Sequence, residues 1–356
     1  MSALLRRRLI GQRLVGTALD RPAEVVRWLG AVQAQDYRGA LWGIGQRTRG
    51  ASEAEVERAL ADRQLVRSWP MRRTLHIVPA ADLRWMLRHL ASRAVRGMAG
   101  RHRSMGLRPE DFTRAGRLLE KALAGGRQMT RAEIYQLFAR GRVSTEGQRG
   151  IHLIAFLAMT GLLCFGPHRG KHPTFVLLDE WLAPSPVLDR EPALAELARR
   201  YLASHGPATA ADLAWWAGLS LGEARAAIAL AGPQADKQVP RRAGASAHLL
   251  PPWDEYTVAY KDRSAIVDPA IADATRGGIF APVVVLDGRV AGTWRQKRGR
   301  LAIDIDAELI APPSTGQARA LAAAAERLGA FVGLSARLNT SVRRAAAGAR
   351  RRAPRS

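Results

Sequence analysis

The 356-residue sequence has very little cysteine and no long hydrophobic run. A single cysteine, Cys164, excludes a disulfide within the chain and a cysteine-rich metal site. The longest apolar run, residues 151–166 (IHLIAFLAMTGLLCFG), is shorter than the roughly 20 residues that span a bilayer. It predicts a buried helix followed by a strand, with Cys164 in the core. Because the N-terminus also lacks the apolar segment of a secretory signal, we expect a cytoplasmic protein.

Acidic side chains are outnumbered by basic ones. The chain has 55 Lys and Arg against 31 Asp and Glu, a formal net charge of +24. Only five of these bases are lysine: Lys121, Lys171, Lys237, Lys261 and Lys297. A codon bias towards arginine explains the scarcity of lysine but not the excess of bases over acids. That excess predicts a polyanionic partner, nucleic acid before a membrane surface.

Two stretches of the sequence repeat each other. GRQMTRAEIYQLF, from residue 126, and HGPATAADLAWWA, from residue 205, both place an acid three residues after a threonine, as in a helix capping box. Helical patterns flank both, and the first copy continues into LLCFGPHRGKHPTFVLLDEW, a strand, a basic turn and a second strand. This order is typical of a winged helix, a helix-turn-helix variant.

The N-terminal region fits a looser third copy. There, PAEVVRWLGAVQAQ and SEAEVERALADRQLVRSWPM are predicted as helices and TLHIV as a strand. Further along, IFAPVVVLDGRVAGTWRQ predicts a hairpin around Asp-Gly, with another turn at residues 297–299 and an alanine-rich helix at 316–329.

The fold class that follows is α+β, with tandem winged-helix units and a C-terminal region that contains a β-hairpin. The predicted divisions are a first unit at residues 1–105, a second at 106–190, a third at 191–265, a β-rich region with a helix at 266–345, and a basic, disordered tail at 346–356.

Four basic residues crowd the tip of the second predicted hairpin: Arg295, Lys297, Arg298 and Arg300. A basic β-ribbon suits a DNA groove, with its charges against phosphates or the minor-groove floor. The alternative is a solvated turn in a chain that is rich in arginine throughout.

Other polar residues carry weaker signals. The stretch PPWDEYTVAYKDR, residues 251–263, could line a cleft, but its spacing favours an ion-paired structural turn. His76, in a predicted strand, is typical of a satisfied core or edge residue. Metal-ligand, P-loop, dinucleotide-binding and nucleophilic-serine motifs are missing from the sequence, so we expect neither a metal nor a cofactor.

Gln33-Ala34-Gln35 is the least expected polar feature. It follows an apolar helical pattern, and glutamine is costly to bury without hydrogen bonds. Within a helix, residues i and i+2 point about 200° apart, so both amides could face one cleft only where a helix frays. The residues from Asp36 to Gly39 are typical of such a helix end. The pair could grip a water or a reacting group, but ordinary helix capping is the simpler interpretation.

Four stretches in the same order resemble the AlkZ/YcaQ family of bacterial winged-helix DNA glycosylases: WLGAVQAQDYRGALWGIGQRT, MRRTLHIVPAADLRWML, PPWDEYTVAYKDR and GIFAPVVVLDGRVAGTWR. The resemblance covers residues 1 to about 340. It implies a concave DNA-binding surface built from tandem winged helices. The family motif of Gln, an aliphatic residue, then Gln or Asp matches Gln33, Ala34 and Gln35, which implies catalytic roles for Gln33 and Gln35. The Gln-x-Gln form resembles the AlkZ branch, whose members excise bulky N7-alkylpurine adducts or unhook interstrand crosslinks.

The resemblance therefore implies a monofunctional glycosylase that acts on double-stranded DNA with alkylated purines, in DNA repair or resistance to a genotoxin. We expect a monomer. Two alternatives bind DNA without releasing a base: a transcription regulator and an architectural protein. Three units without a sensor domain argue against a regulator.

Overall fold

The protein folds as a mixed α/β chain. The structure, a computed structural model, describes residues 1–186, 188–233, 244–267 and 281–343. Its first part contains α1 (Ala3–Gly11), α2 (Pro22–Leu29), β1 (Val32–Gln33), α3 (Tyr37–Gly45), α4 (Glu53–Ala61), β2 (Leu65–Met71) and β3 (Thr74–Pro79). These three strands form a small antiparallel sheet in the order β1-β3-β2.

A second part repeats this arrangement. After a 3-10 turn (Ala80–Asp82) and a helix interrupted by a π turn, it contains α5 (Leu83–Met86), the π turn (Leu87–Ala91), α6 (Ser92–Arg96), α7 (Ala99–Ser104), α8 (Pro109–Leu123), β4 (Met129–Thr130), α9 (Arg131–Arg140), α10 (Arg149–Met159), β5 (Leu163–Phe165), β6 (Thr174–Leu177) and α11 (Leu178–Trp181). Its sheet has the order β4-β6-β5. In both parts a helix, a short strand, two helices and a hairpin follow each other, and the last strand lies in the middle of the sheet.

The third part begins with the repeat and ends in a larger sheet. Its elements are α12 (Arg190–His205), α13 (Ala210–Ala217), α14 (Leu221–Ala231), β7 (Ala247–Leu250), α15 (Glu255–Val258), β8 (Val283–Leu286), β9 (Arg289–Arg298), β10 (Ala302–Leu309), α16 (Thr315–Val332) and β11 (Ser335–Val342). The sheet order is β11-β10-β9-β8-β7, parallel only between β10 and β11. Because β7 pairs with β8, the predicted boundary at residue 265 lies between two paired strands.

Local sequence signals locate most helices correctly. Thr130 and Thr209 begin α9 and α13 with the predicted capping boxes, each accepting a hydrogen bond from the backbone N–H of the acid three residues on. The long apolar run becomes α10 and β5, and Cys164 is fully buried there; burial raises the pKa of its thiol to about 12. The alanine-rich helix is α16, slightly longer than predicted.

Three predictions of local structure are wrong. The helix expected to run through Gln35 ends at Leu29, because Gly30 adopts φ +85°. The helix expected over residues 52–71 covers only α4, and its second half is the buried strand β2. The turn expected at 297–299 begins later, since Lys297 and Arg298 still pair with Asp304 and Ile303. Tertiary pairing overrides helix propensity in the second case.

The hairpin around Asp-Gly is confirmed. Asp287 and Gly288, with φ +48° and +84°, connect β8 to β9; residues 279 and 280 of the predicted hairpin lie outside the described residues, as does the basic tail from residue 346. Within the described ranges, no helix is both long enough and apolar enough to cross a membrane.

Candidate active site

Gln33 and Gln35 lie on the extended connection between α2 and α3. Gln33 pairs with His76 in the ladder between β1 and β3, and the backbone N–H of Ala34 continues this ladder by donating to Leu75 O at 2.7 Å. Asp36 then begins α3, accepting from the N–H of Gly39 at 3.0 Å. Asp36 to Gly39 are therefore a helix start and not the predicted helix end. Gln33 ends strand β1 and Gln35 lies in a bend, so neither residue is helical and the opposed directions of residues i and i+2 in a helix do not apply to them.

The Gln33 side chain is held from inside the protein. Its Oε1 accepts from Arg72 Nη2 at 3.1 Å, and its backbone N–H donates to Glu255 Oε1 at 2.9 Å. The residue is only 7% exposed. Both contacts engage groups that bear a full charge, which makes them stronger than neutral hydrogen bonds.

His76 supports the same guanidinium. Its Nδ1 lies 3.0 Å from Thr74 O, an acceptor only, so Nδ1 carries the hydrogen and Nε2 is free to accept. Nε2 lies 3.1 Å from Arg72 Nη2. Burial and the nearby charge of Arg72 lower the pKa of His76 to about 3, so the ring is neutral at physiological pH. His76 is thus a satisfied strand residue, as predicted, with one nitrogen committed to Arg72.

Glu255 lies behind Gln33 and is 1% exposed. Its second oxygen accepts from Trp216 Nε1 at 2.8 Å, and His205 Nε2 lies 3.5 Å from it. Burial acts to raise the pKa of Glu255, but the contacts with His205 and the Gln33 N–H bring it below its usual value. The carboxylate is therefore ionised and faces the amide backbone.

The start of α15 fixes Glu255 in place. Its preceding residue, Asp254, forms a buried two-pronged ion pair with Arg47, at 2.7 and 2.8 Å. Arg47 also donates to Gln12 O and Gly43 O. The segment 251–263 is therefore an ion-paired structural turn, as its spacing favoured, and it also delivers a carboxylate to Gln33.

Arg72 occupies an unusual backbone conformation. Arg72 and Arg73 form the two-residue turn between β2 and β3 with φ +56° and +62°. Residues other than glycine seldom adopt this left-handed region of φ, and backbone strain of this kind concentrates at functional sites. Burial is the main reason that the pKa of Arg72 is lowered, with the charge of Glu255 opposing the shift.

Gln35 differs from Gln33 in having no anchor. Its side-chain oxygen is sealed from solvent and accepts no hydrogen bond from any described residue. The peptide between the two glutamines, in contrast, is fixed: Arg67 donates to Ala34 O through Nε at 3.1 Å and Nη2 at 2.7 Å. The backbone at Gln35 is therefore rigid while its amide can turn.

Arg67 also lines two cavities. Its guanidinium lies 4.7 Å from the Phe165 ring centre, and both residues line both cavities. One has a volume of about 350 Å³ and contains Tyr37 and His168. The other, of about 570 Å³, contains the aromatic rings of Trp69 and Phe175. Burial lowers the pKa of Arg67 to about 10, so it stays charged at neutral pH.

The basic hairpin forms, although its turn begins later than predicted, and its four charges are not equivalent. Arg295, Lys297 and Arg300 are exposed. Arg298 is half-buried and forms a two-pronged ion pair with Glu53 at the start of α4, at 2.7 and 3.0 Å. Leu301, at the tip, is 84% exposed. Arg298 thus ties the hairpin to the part of the molecule that carries Gln33 and Gln35.

Across the described ranges there is no group of three or more His, Cys, Asp or Glu side chains that could hold a metal ion.

Comparison with known proteins identifies the family. The profile of a family described as DNA glycosylase AlkZ-like matches residues 26–331. The chain belongs to the AlkZ-like DNA glycosylase family. Among members of this family, the chain is similar to an interstrand DNA cross-link repair glycosylase of Streptomyces sahachiroi, with 26% identity over 87% of this chain and 89% of the relative. Its fold matches that of Streptomyces sahachiroi DNA glycosylase AlkZ, with a TM-score of 0.75 and 22% identity over 96% of this chain and all of the other.

Sequence reasoning missed part of the candidate site. Arg67 and Arg72 were not predicted, and Glu255 was noted without a role. The one signal in the sequence was that the stretches MRRTLHIV and PPWDEY occur in the same order as in the family that the chain resembles. These stretches contain Arg72, His76 and Glu255. Their contacts with Gln33 depend on chain segments up to 222 residues apart, which a single sequence does not reveal.

Proposed function

We propose that this chain is a monofunctional DNA glycosylase that hydrolyses the N-glycosidic bond of N7-alkylated purines in double-stranded DNA. One observation carries the proposal: two amides, Gln33 and Gln35, lie two residues apart on the connection between α2 and α3, and the carboxylate that contacts Gln33, Glu255, is buried. Gln33 and Gln35 remain the proposed catalytic residues.

Amides are sufficient only for a substrate that is already activated. An N7-alkylated purine carries a positive charge, so the C1′–N9 bond can break with its electron pair going to N9 and needs no general acid. The sugar is left with oxocarbenium character, and water adds to C1′ and releases a proton to solvent. Gln has no useful pKa and is a poor general base. Its oxygen can, however, orient the water and face the positive sugar.

Gln35 is the better placed of the two to hold this water. Neither atom of its amide makes a hydrogen bond to a described residue. A half-turn about its last side-chain bond therefore exchanges oxygen and nitrogen without breaking a contact. An oxygen turned outward in this way could accept a hydrogen bond from the attacking water and orient it.

Bulky adducts and crosslinked bases fit the same scheme. Arg67, which donates to Ala34 O, lines two cavities that offer aromatic and apolar walls. The similar protein from Streptomyces sahachiroi is named for cross-link repair. A role in repair or in resistance to a genotoxin follows by inference from that likeness.

DNA affinity would come from the positive charge of the chain. The exposed bases of the hairpin, Arg295, Lys297 and Arg300, with Arg298 as its anchor, are the proposed DNA contacts. We propose a protein that acts as a monomer, with each of the winged-helix units placed along one DNA-facing surface.

The direct test is base release. The protein is incubated with a duplex that contains a single N7-methylguanine, and abasic sites are counted after alkaline cleavage. We expect excision well above the spontaneous rate, and none from matched duplexes with uracil or hypoxanthine, which are neutral bases. Tight binding without base release would instead favour the transcription regulator or the architectural protein.

A further inference from the structure

The hydrogen bonds around Gln33 determine which end of its amide is available. Arg72 has only donors, so the atom that faces its Nη2 at 3.1 Å must be the carbonyl oxygen. The amide nitrogen, Nε2, donates to no described residue and, unlike Gln35 Oε1, is not sealed from solvent. Gln33 therefore offers N–H groups outward and keeps its oxygen inside.

Arg72 cannot easily release this oxygen. Its Nη2 group is shared with Nε2 of neutral His76, and its side chain packs against Gly218 at the end of α13. A Cβ atom placed on Gly218 would lie only 3.0 Å from Arg72 Cγ. Arg72 lies in the tight turn between β2 and β3, and its guanidinium contacts Gln33 from there. Turning the amide would place an N–H group against a cation, so the orientation is fixed.

A fixed N–H donor can stabilise the leaving base in the transition state but cannot stabilise the sugar. The sugar becomes positive and repels an N–H group. The purine does the opposite: it loses its positive charge as the C1′–N9 electron pair moves to N9, and N3, conjugated with N9 through C4, becomes a better acceptor. A donor at N3 thus binds the transition state more tightly than the cationic substrate, which is the condition for catalysis.

We propose that Arg72 is a positioning residue that holds the Gln33 amide with its NH2 group outward, and that this group donates a hydrogen bond to N3 of the departing purine. The inference rests on the proposed glycosylase function and divides the labour between the glutamines. Gln33 stabilises the leaving base, and Gln35 orients the water.

The test removes the acceptor atom from the substrate. Excision is measured under single-turnover conditions on duplexes with N7-methylguanine and with its 3-deaza analogue, in which CH replaces N3. Each rate is divided by the spontaneous rate of release of the same base. We expect wild-type protein to favour the natural base by at least about tenfold in this ratio, the rate equivalent of one hydrogen bond.

Four variants then locate the donor. Gln33→Glu keeps an oxygen for Arg72 but removes the NH2 group, and should bring the ratio close to one. Arg72→Met, which frees the amide to turn, should lower the ratio, whereas Arg72→Lys, which still donates to the Gln33 oxygen, should restore most of it. Gln35→Ala should slow both substrates equally and keep the ratio. Arg73→Met, in the same turn but exposed, is the matched control for Arg72→Met.

The outcomes separate the two proposals. If wild-type protein excises neither base, the glycosylase function itself is wrong. If it excises both with a ratio near one, or if Gln33→Glu retains the wild-type ratio, Gln33 does not contact N3. An unfolded Arg72→Met variant, detected by circular dichroism, leaves the decision to Gln33→Glu and Arg72→Lys, which preserve the buried contacts.

Discussion

At the scale of single residues, the two glutamines differ in what holds them. Gln33 is bound through Arg72 and Glu255, while the Gln35 amide has no described partner. The Gln33 amide is thus preorganised by its contacts, whereas no hydrogen bond to a described residue fixes the orientation of the Gln35 amide. Preorganised groups contribute most where charge changes during a reaction.

We expect Gln35→Ala to lower single-turnover excision of N7-methylguanine by about 10²-fold or more, the usual scale for removal of one group that stabilises a transition state. DNA affinity should hardly change, because a neutral side chain pairs with no phosphate charge. Gln64→Ala, at an exposed position between α4 and β2, is the matched control. Excision by Gln35→Ala at the wild-type rate would remove Gln35 from the active site.

Two buried histidines give the fold a predictable dependence on pH. Burial is the main cause that lowers the pKa values of His76 and His248 to about 3. Between pH 3 and 6.5 the unfolded chain therefore binds more protons than the folded one, so the free energy of unfolding rises with pH across this window. At about 1.4 kcal/mol per pKa unit, each histidine costs at most about 3 kcal/mol when the pH falls from 6.5 to 4.

His248→Leu tests this dependence. Urea unfolding between pH 4 and 7 should give a shallower rise in stability for this variant than for wild-type protein. Val285→Leu changes the apolar residue that pairs with His248 in the same sheet and should keep the wild-type slope. Equal slopes in all three proteins would show that burial of His248 has no influence on its protonation.

At the scale of elements, the hairpin β9–β10 is a basic ribbon with an internal anchor. Arg298 is committed to Glu53, so only Arg295, Lys297 and Arg300 are exposed for phosphates. This ion pair instead holds the hairpin against the start of α4. The sequence analysis treated the four charges as one group, whereas the structure shows three exposed bases and one base that is paired with Glu53.

Neutralising Arg295, Lys297 and Arg300 together should weaken DNA binding and flatten the slope of log K against log salt by roughly 0.9 for each phosphate that the hairpin no longer neutralises. The matched control removes the same charges from the exposed side of α8, at Arg114, Arg117 and Lys121. Fluorescence anisotropy at several salt concentrations measures both slopes. A slope equal to that of the wild type would place the hairpin outside the interface.

At the scale of the whole molecule, the candidate active site is assembled from distant parts of the chain. Gln33 comes from the first sheet, and Glu255 comes from α15 after the third repeat. Trp216 of α13 donates a hydrogen bond to Glu255, and its ring lies beside Gly30. Relative motion of these parts would break charged, buried contacts. The site therefore depends on the whole fold and not on one unit.

The scarcity of lysine predicts that the reaction product is an intact abasic site. Cleavage of the abasic strand needs an amine that forms a Schiff base with the sugar, and no lysine lies in the segment of Gln33 and Gln35. Borohydride added during turnover should trap no protein–DNA adduct, and strand breaks should appear only after alkali. A bifunctional glycosylase serves as the positive control. Stoichiometric trapping would make an amine the attacking group and would contradict hydrolysis by water.

The sequence by itself was enough for features that depend on neighbouring residues. Thr130 and Thr209 begin their helices because capping is a contact over three residues, and Asp287-Gly288 makes its hairpin turn because both positions tolerate positive φ. Excess positive charge predicts a nucleic-acid partner in the same way, since charge is additive along a chain.

Tertiary structure decided the rest. Residues 65–71 form a strand because β3 pairs with them. Gln33, predicted to be helical, lies in a strand because the helix ends before Gly30 and His76 pairs with Gln33. Arg72 and Glu255 reach Gln33 from 39 and 222 residues away. Such contacts are decided by burial and by the pairing of charges that burial demands, and these are properties of the folded chain as a whole.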